Sequence, residues 1–97
     1  MTDRILGRRA AYRGGGGAPM PTVLRQRGRR FFFYSNEGAE PPHVHVEQAG
    51  STAKFWLAPV ECADNRGFST REIAALVRII IVHEQEFEEA WHEHFDA

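Results

Sequence analysis

The chain has 97 residues and a formal net charge of −1, with 42% hydrophobic and 26% charged side chains. That length holds one small domain rather than two, and the composition excludes wholesale disorder, collagen-like repeats and coiled-coil bias. The balanced charge also excludes the simplest nucleic-acid binder, a domain with a large positive excess.

The balance hides an asymmetry. Arg4, Arg8, Arg9, Arg13, Arg25, Arg27, Arg29 and Arg30 stand against Asp3 alone in the first 30 residues, whereas Lys54, Arg66, Arg71 and Arg78 face all the remaining acids. Such a split reads either as a basic arm for nucleic acid or an acidic partner, or as a solvated tail followed by an acidic helix. Residues 1–19 contain Gly14 to Gly17, Ala18 and Pro19 and little that is apolar or periodic, so they are expected to be a flexible extension. A glycine run just before an internal methionine is also what a translated purine-rich ribosome-binding site looks like. Met20 is therefore the expected native start, with 20–97 as the single domain. The extension lacks the 7 to 15 residue apolar stretch of a signal peptide, and no stretch approaches the roughly 20 apolar residues of a membrane span. Cys62 is the only cysteine, which leaves no internal disulfide and makes a soluble cytoplasmic protein the expectation.

From Thr22 onward the elements are legible. Thr22 to Gln26 is β-leaning and ends at Arg27-Gly28, and Arg30 to Ser35 is dense in aromatics, so the two form a hairpin. Asn36 to Pro42 reads as a loop, because Asn, Gly and two prolines break regular pairing. His43 to Gln48 and Ala53 to Leu57 form a second hairpin about a Gly50-Ser51 turn, and Pro59 to Phe68 reads as a connector. Ser69-Thr70-Arg71-Glu72 matches a capping box. A single helix is then expected to run to about Phe95, with Ile73, Leu76, Val77, Ile80, Phe87, Trp91 and Phe95 as its apolar stripe. At about 1.5 Å per residue such a helix reaches roughly 40 Å, longer than a domain of this size, so it should overhang its sheet. The apolar run Ile79 to Val82 is wider than a sheet can cover, which favours a homodimer; the plain alternative is that two of the four are tolerated surface residues.

The chemistry candidates lie on the third strand. His43, His45 and Glu47 share one face by alternation, and Val44 and Val46 the other. A turn at Gly50-Ser51 pairs Glu47 with Lys54, Val46 with Phe55, His45 with Trp56 and Val44 with Leu57. His43, His45, Glu47, Lys54 and Trp56 then collect on the face away from the helix. Two imidazoles and a carboxylate can converge on a divalent ion such as zinc, making His43, His45 and Glu47 a candidate metal set. The same histidines can serve as a general acid–base pair on a phosphodiester, with Lys54 or an arginine stabilising charge. A third use needs no catalysis and no cofactor: Arg30, Tyr34, Glu47, Lys54 and Trp56 form a binding face for RNA, DNA or protein. The plain structural reading keeps both histidines as strand residues in contact with Trp56. Phe31 to Tyr34 put large aromatics on both faces of strand two, and one helix covers only one of them, so a partner or a second copy is expected on the other. His83 falls on the inward arc of the helix and reads as a hydrogen-bonded core residue.

The runs Met20-Pro21-Thr22-Val23-Leu24-Arg25, Arg30 to Glu37, Pro41-Pro42-His43-Val44-His45-Val46, Ala53 to Leu57 and Ala90 to Glu93 resemble the small prokaryotic domain-of-unknown-function family 4160 over essentially all of Met20 to Phe95. His43 and His45 match the family motif and His83 matches a family histidine, whereas Glu84 and Ile79 to Val82 are peculiar to this chain. The resemblance implies a short stand-alone protein beginning near Met20 and encoded beside a second small family, as in a toxin–antitoxin-like pair. It carries over no catalytic residue. The expectation is thus an α+β domain of about four antiparallel strands, two hairpins packed on one long C-terminal helix. Its function is expected to be binding of a neighbouring gene's protein, or of nucleic acid, through the sheet face. The rival is a ribonuclease-like or metal-dependent toxin using His43 and His45.

Overall fold

The computed structural model describes residues 22–96. The N-terminal extension and the Met20 start lie outside the described residues. Within them the class is α+β, as expected, with more elements than the sequence reading assigned. Five strands, β1 (Thr22–Gln26), β2 (Arg29–Phe32), β3 (His43–Gln48), β4 (Ser51–Leu57) and β5 (Val60–Arg66), form one antiparallel sheet in chain order. Two helices follow, α1 (Thr70–Val82) and α2 (Glu84–Phe95).

Both predicted hairpins form, each on a residue-glycine turn with two positive φ angles, Arg27-Gly28 (53° and 80°) and Ala49-Gly50 (50° and 87°). That is the type I′ geometry whose twist matches the flanking strands. In the second hairpin it displaces the expected Gly50-Ser51 turn: Gln48 pairs Ser51, Glu47 pairs Thr52, His45 pairs Lys54, Val44 pairs Phe55 and His43 pairs Trp56. The register differs from the predicted one by two residues. Because side chains alternate with period two, a slip of two moves neighbours along the strand and leaves every side chain on its predicted face.

The stretch expected as a connector is instead β5, which pairs with β4 beyond an Ala58-Pro59 turn containing a cis peptide bond. Its sequence, Val-Glu-Cys-Ala-Asp-Asn-Arg, has no apolar alternation because every residue after Val60 is exposed. Charges of this kind are how edge strands avoid pairing with other chains, and they also hide a strand from a periodicity reading. Cys62 lies exposed on this edge.

The capping box at Ser69 and Glu72 forms as predicted. The single long helix does not. His83 takes non-helical angles (φ −103°, ψ 13°), its N–H is shared between the carbonyls of Ile79 and Ile80, and a second helix starts immediately after it. Glu84 and Glu86 sit in the first turn of α2, where acidic side chains favour a helix N-terminus. The break answers the overhang, because two shorter helices can each follow the sheet where one straight rod cannot. α1 packs towards β5 and α2 towards β4. His83 is half-buried at the junction, its ring stacked on Phe87 at 5.6 Å and its Nδ1 donating to Glu86 at 2.9 Å.

The core lies between the sheet and the helices. Phe31, Phe33, Val44, Val46, Phe55 and Leu57 meet Phe68, Leu76, Ile80, Phe87 and Trp91, with Phe31 against Phe87 at 5.7 Å and Phe33 edge-on to Trp91 at 5.3 Å. Of the apolar run at the end of α1, Ile80 is buried while Ile81 and Val82 are 53% and 78% exposed. No described helix is long and apolar enough to cross a membrane.

Ala49, like Arg27 in the first hairpin, is a non-glycine residue at a positive-φ turn position where asparagine is the favoured choice. Ala49→Asn should raise the urea midpoint without changing the slope. The expected gain is about 0.5–1 kcal/mol, part of the roughly 1–2 kcal/mol that a Cβ costs in the left-handed region. An unchanged or lower midpoint contradicts the turn assignment.

Candidate functional site

Alternation along β3 sends Val44 and Val46 into the core and turns His43, His45 and Glu47 to the opposite face. On the neighbouring strands the pairing adds Arg30 and Phe32 from β2 and Lys54 and Trp56 from β4. The predicted residues therefore do share one face. Arg30 donates to Glu47 Oε1 at 2.8 Å and to Thr22 Oγ1 at 3.3 Å while its guanidinium lies 4.0 Å from the Phe32 ring centre. Lys54 lies 4.6 Å from the Trp56 ring centre. Tyr34 is 38% exposed and meets His45 edge-on at 4.6 Å.

The predicted Asn36 to Pro42 loop is present, and what the sequence did not reveal is that it folds back over one end of this face. Residues 33–42 run from β2 back to β3. They are tied down by the Leu57 N–H donating to the Pro42 carbonyl at 3.1 Å and by a turn in which the Glu40 N–H donates to the Glu37 carbonyl at 3.1 Å. Gly38 lies so close to the Phe95 ring that an added Cβ would stand 2.7 Å from it, which fixes the loop against the end of α2. The loop delivers two carboxylates. Glu40 accepts from Lys54 Nζ at 2.6 Å, and Glu37 Oε1 lies 2.7 Å from His43 Nε2 and 2.7 Å from His45 Nε2. His43 Nδ1 donates to the Pro41 carbonyl at 2.8 Å.

The two histidines differ in access. His43 has no exposed surface and is walled by Trp91, His45 and Trp56, with ring centres 4.8, 5.2 and 5.5 Å away. His45 stacks on Phe32 at 5.5 Å, and its side chain is 14% exposed. A phosphodiester could meet His45 and the outer edge of Glu37 but not His43, so the geometry disfavours an acid–base pair made of both histidines. Glu47, placed by sequence in the metal set, is engaged by Arg30 instead. Among the described residues, the group whose ligand atoms lie within 4.8 Å of one another is Glu37, His43 and His45. The signal for Glu37 was weak but present: a carboxylate in the loop just before a Pro-Pro-His-Val-His run, with two prolines to stiffen its return.

Electrostatics follow from this packing. Burial raises the Glu37 carboxyl, but hydrogen bonds from His43 and His45 and their charge outweigh it and hold the group below its ordinary 4.5. Burial pushes the His45 imidazole below its ordinary 6.5, outweighing the pull of Glu37. Burial lowers His94 in the same direction. Each shift favours the deprotonated form in the folded state, so the unfolded chain takes up protons first as pH falls. Stability from His45 and His94 is fully present above pH 6.5 and is lost as pH falls through their lower folded values. The contribution of Glu37 is lost in the same way below 4.5. The urea midpoint should therefore fall in two steps on acidification. His45→Gln should shrink the first step, with His94 supplying the remainder, and Glu37→Gln should remove most of the second. A midpoint flat between about pH 7 and pH 5 contradicts this assignment.

Comparison with curated proteins and with solved structures finds no match. The profile of the domain-of-unknown-function family DUF4160 matches residues 28–92, which span β2 to most of α2 and include all three members of the His–Glu cluster. The chain belongs to the DUF4160 family.

Proposed function

We propose that the chain is the binding component of a two-gene, toxin–antitoxin-like module and docks a protein partner through the open face of its sheet. One observation carries this reading: the face away from the helices presents Tyr34, Trp56 and Arg30, the residue types that dominate protein–protein hot spots. Its cations are matched in place by carboxylates, Arg30 by Glu47, Lys54 by Glu40 and Arg66 by Asp64. A nucleic-acid surface needs an excess of uncompensated positive charge to displace counterions from phosphates. Beside these three pairs the face adds the exposed Arg25, opposite Arg30 on β1, as a cation without a carboxylate partner among the described residues, too little for a phosphate-binding patch. A protein partner is therefore favoured over RNA or DNA. The ribonuclease-like alternative is weakened by the complete burial of His43.

The test is co-expression with the product of the adjacent gene. The expected result is a nuclease-resistant stoichiometric complex that Trp56→Ala or Tyr34→Ala weakens about 30-fold, as loss of a hot-spot side chain worth about 2 kcal/mol would, with the unfolding midpoint little changed in the exposed Tyr34→Ala. Recovery of RNA or DNA in place of a protein overturns the partner class. Growth arrest on expression, relieved by His45→Ala, overturns the binding reading in favour of a toxin.

A second reading, self-association, is favoured by the exposure of Ile81 and Val82. We propose that these side chains meet in a homodimer. Light scattering should return about twice the 11.0 kDa chain mass, and Val82→Glu should return the single mass. A wild-type monomer at all concentrations overturns it.

A further inference from the structure

We propose that Glu37, His43 and His45 form a divalent-metal site, and that zinc is the ion their donor set fits best. The site adjoins the docking face and shares Trp56 and Tyr34 with it as walls, but none of its three ligands is among the side chains assigned to docking.

The strongest ground is the hydrogen bond behind His43. The Pro41 carbonyl only accepts, so Nδ1 of His43 carries a proton. The other ring nitrogen, Nε2, is turned to Glu37 Oε1 at 2.7 Å. A histidine that gives one N–H to a backbone carbonyl and aims its other nitrogen at a shared point is the arrangement that orients metal ligands, because the carbonyl fixes the tautomer and the ring direction.

The second ground is convergence. His45 Nε2 is aimed at the same Glu37 oxygen, also at 2.7 Å, and one ligand atom from each of the three residues lies within 4.8 Å of the others. Zinc bonds of about 2.0–2.1 Å in tetrahedral geometry set ligand atoms roughly 3.3 Å apart. The carboxylate must therefore withdraw by about 0.6 Å and the two imidazole nitrogens must close up from as much as 4.8 Å, while the strand backbone that carries the rings stays in place. Those rings are already held: His43 by Trp56 and Trp91, His45 by Phe32 and Tyr34. Pre-set ligands lose little freedom when the ion arrives.

Imidazole nitrogen with carboxylate oxygen is a donor set that zinc accepts. Three protein ligands leave a fourth position, as in catalytic zinc sites. With His43 fully buried and His45 and Glu37 14% and 20% exposed, that position opens on the side of the latter two. Lys54, the nearest cation on this face, has its charge answered by Glu40.

The experiment is calorimetric titration of the full chain, stripped with EDTA, with zinc chloride in two buffers of different ionisation enthalpy. One ion per chain is expected in both buffers. Glu37→Gln and His45→Gln should each weaken binding about a hundredfold or more, since even outer-shell losses cost 10–100-fold. Cobalt substituted for zinc should give visible d–d bands in the wild type that Glu37→Gln abolishes. Glu37→Gln keeps a side chain of the same size that can still hydrogen-bond the histidines, so the native circular dichroism should be kept and loss of metal is then not a loss of fold. Absence of both heat and cobalt bands in the wild type overturns the proposal. So does zinc affinity that survives Glu37→Gln and His45→Gln, or that is lost in Glu47→Gln while surviving Glu37→Gln, because either result places the ion elsewhere.

Discussion

Strand β3 supports two chemistries on one backbone. Val44 and Val46 point into a packed aromatic core, and His43, His45 and Glu47 point the other way. That alternation is a property of extended backbone, and everything else in the domain is arranged around it. The helices cover one side and reach the other only at His43, through Trp91, so the rest of the histidine side has to be closed by other means or left open. The chain does both. Residues 33–42 fold back over one end and bury His43, while the stretch around Arg30, Lys54 and Trp56 stays at the surface.

The closure depends on Glu37. A carboxylate brought within 2.7 Å of two imidazoles offsets part of the cost of burying polar rings, because each nitrogen finds a partner and a charge. Gly38 against Phe95 and the Leu57–Pro42 hydrogen bond keep the loop in position. The cluster is thus a structural clasp whether or not an ion occupies it. It also joins α2 to the sheet, since Trp91 touches both the Phe33 core and the His43 ring. A group that shares its walls with the core cannot rearrange freely, and this rigidity suits a ligand set better than a mobile acid–base pair.

The helical half illustrates how length and packing compete. A continuous helix through His83 satisfies every local preference, with no glycine or proline to stop it. The core asks for Leu76 and Ile80 at one place and Phe87 and Trp91 at another, and the break at His83 lets both sets reach it. The cost is one turn with shared hydrogen bonds, and the apolar end of α1 is left at the surface.

The α+β class, the two hairpins with their faces, the capping box and the shared face of His43, His45, Lys54 and Trp56 were all legible in the sequence, because each rests on a short-range rule: period-two alternation, turn chemistry or a four-residue cap. Even a turn placed one residue late left the faces correct, since the register moved by two. The tertiary structure alone decided the rest. β5 exists because β4 offers it an edge, not because its own residues are apolar. The helix breaks where the core requires it. Glu37, not Glu47, meets the histidines because a loop returns over the sheet, and no periodicity encodes where a loop returns. Local patterns determine which side chains share a face; only long-range packing determines which of them touch.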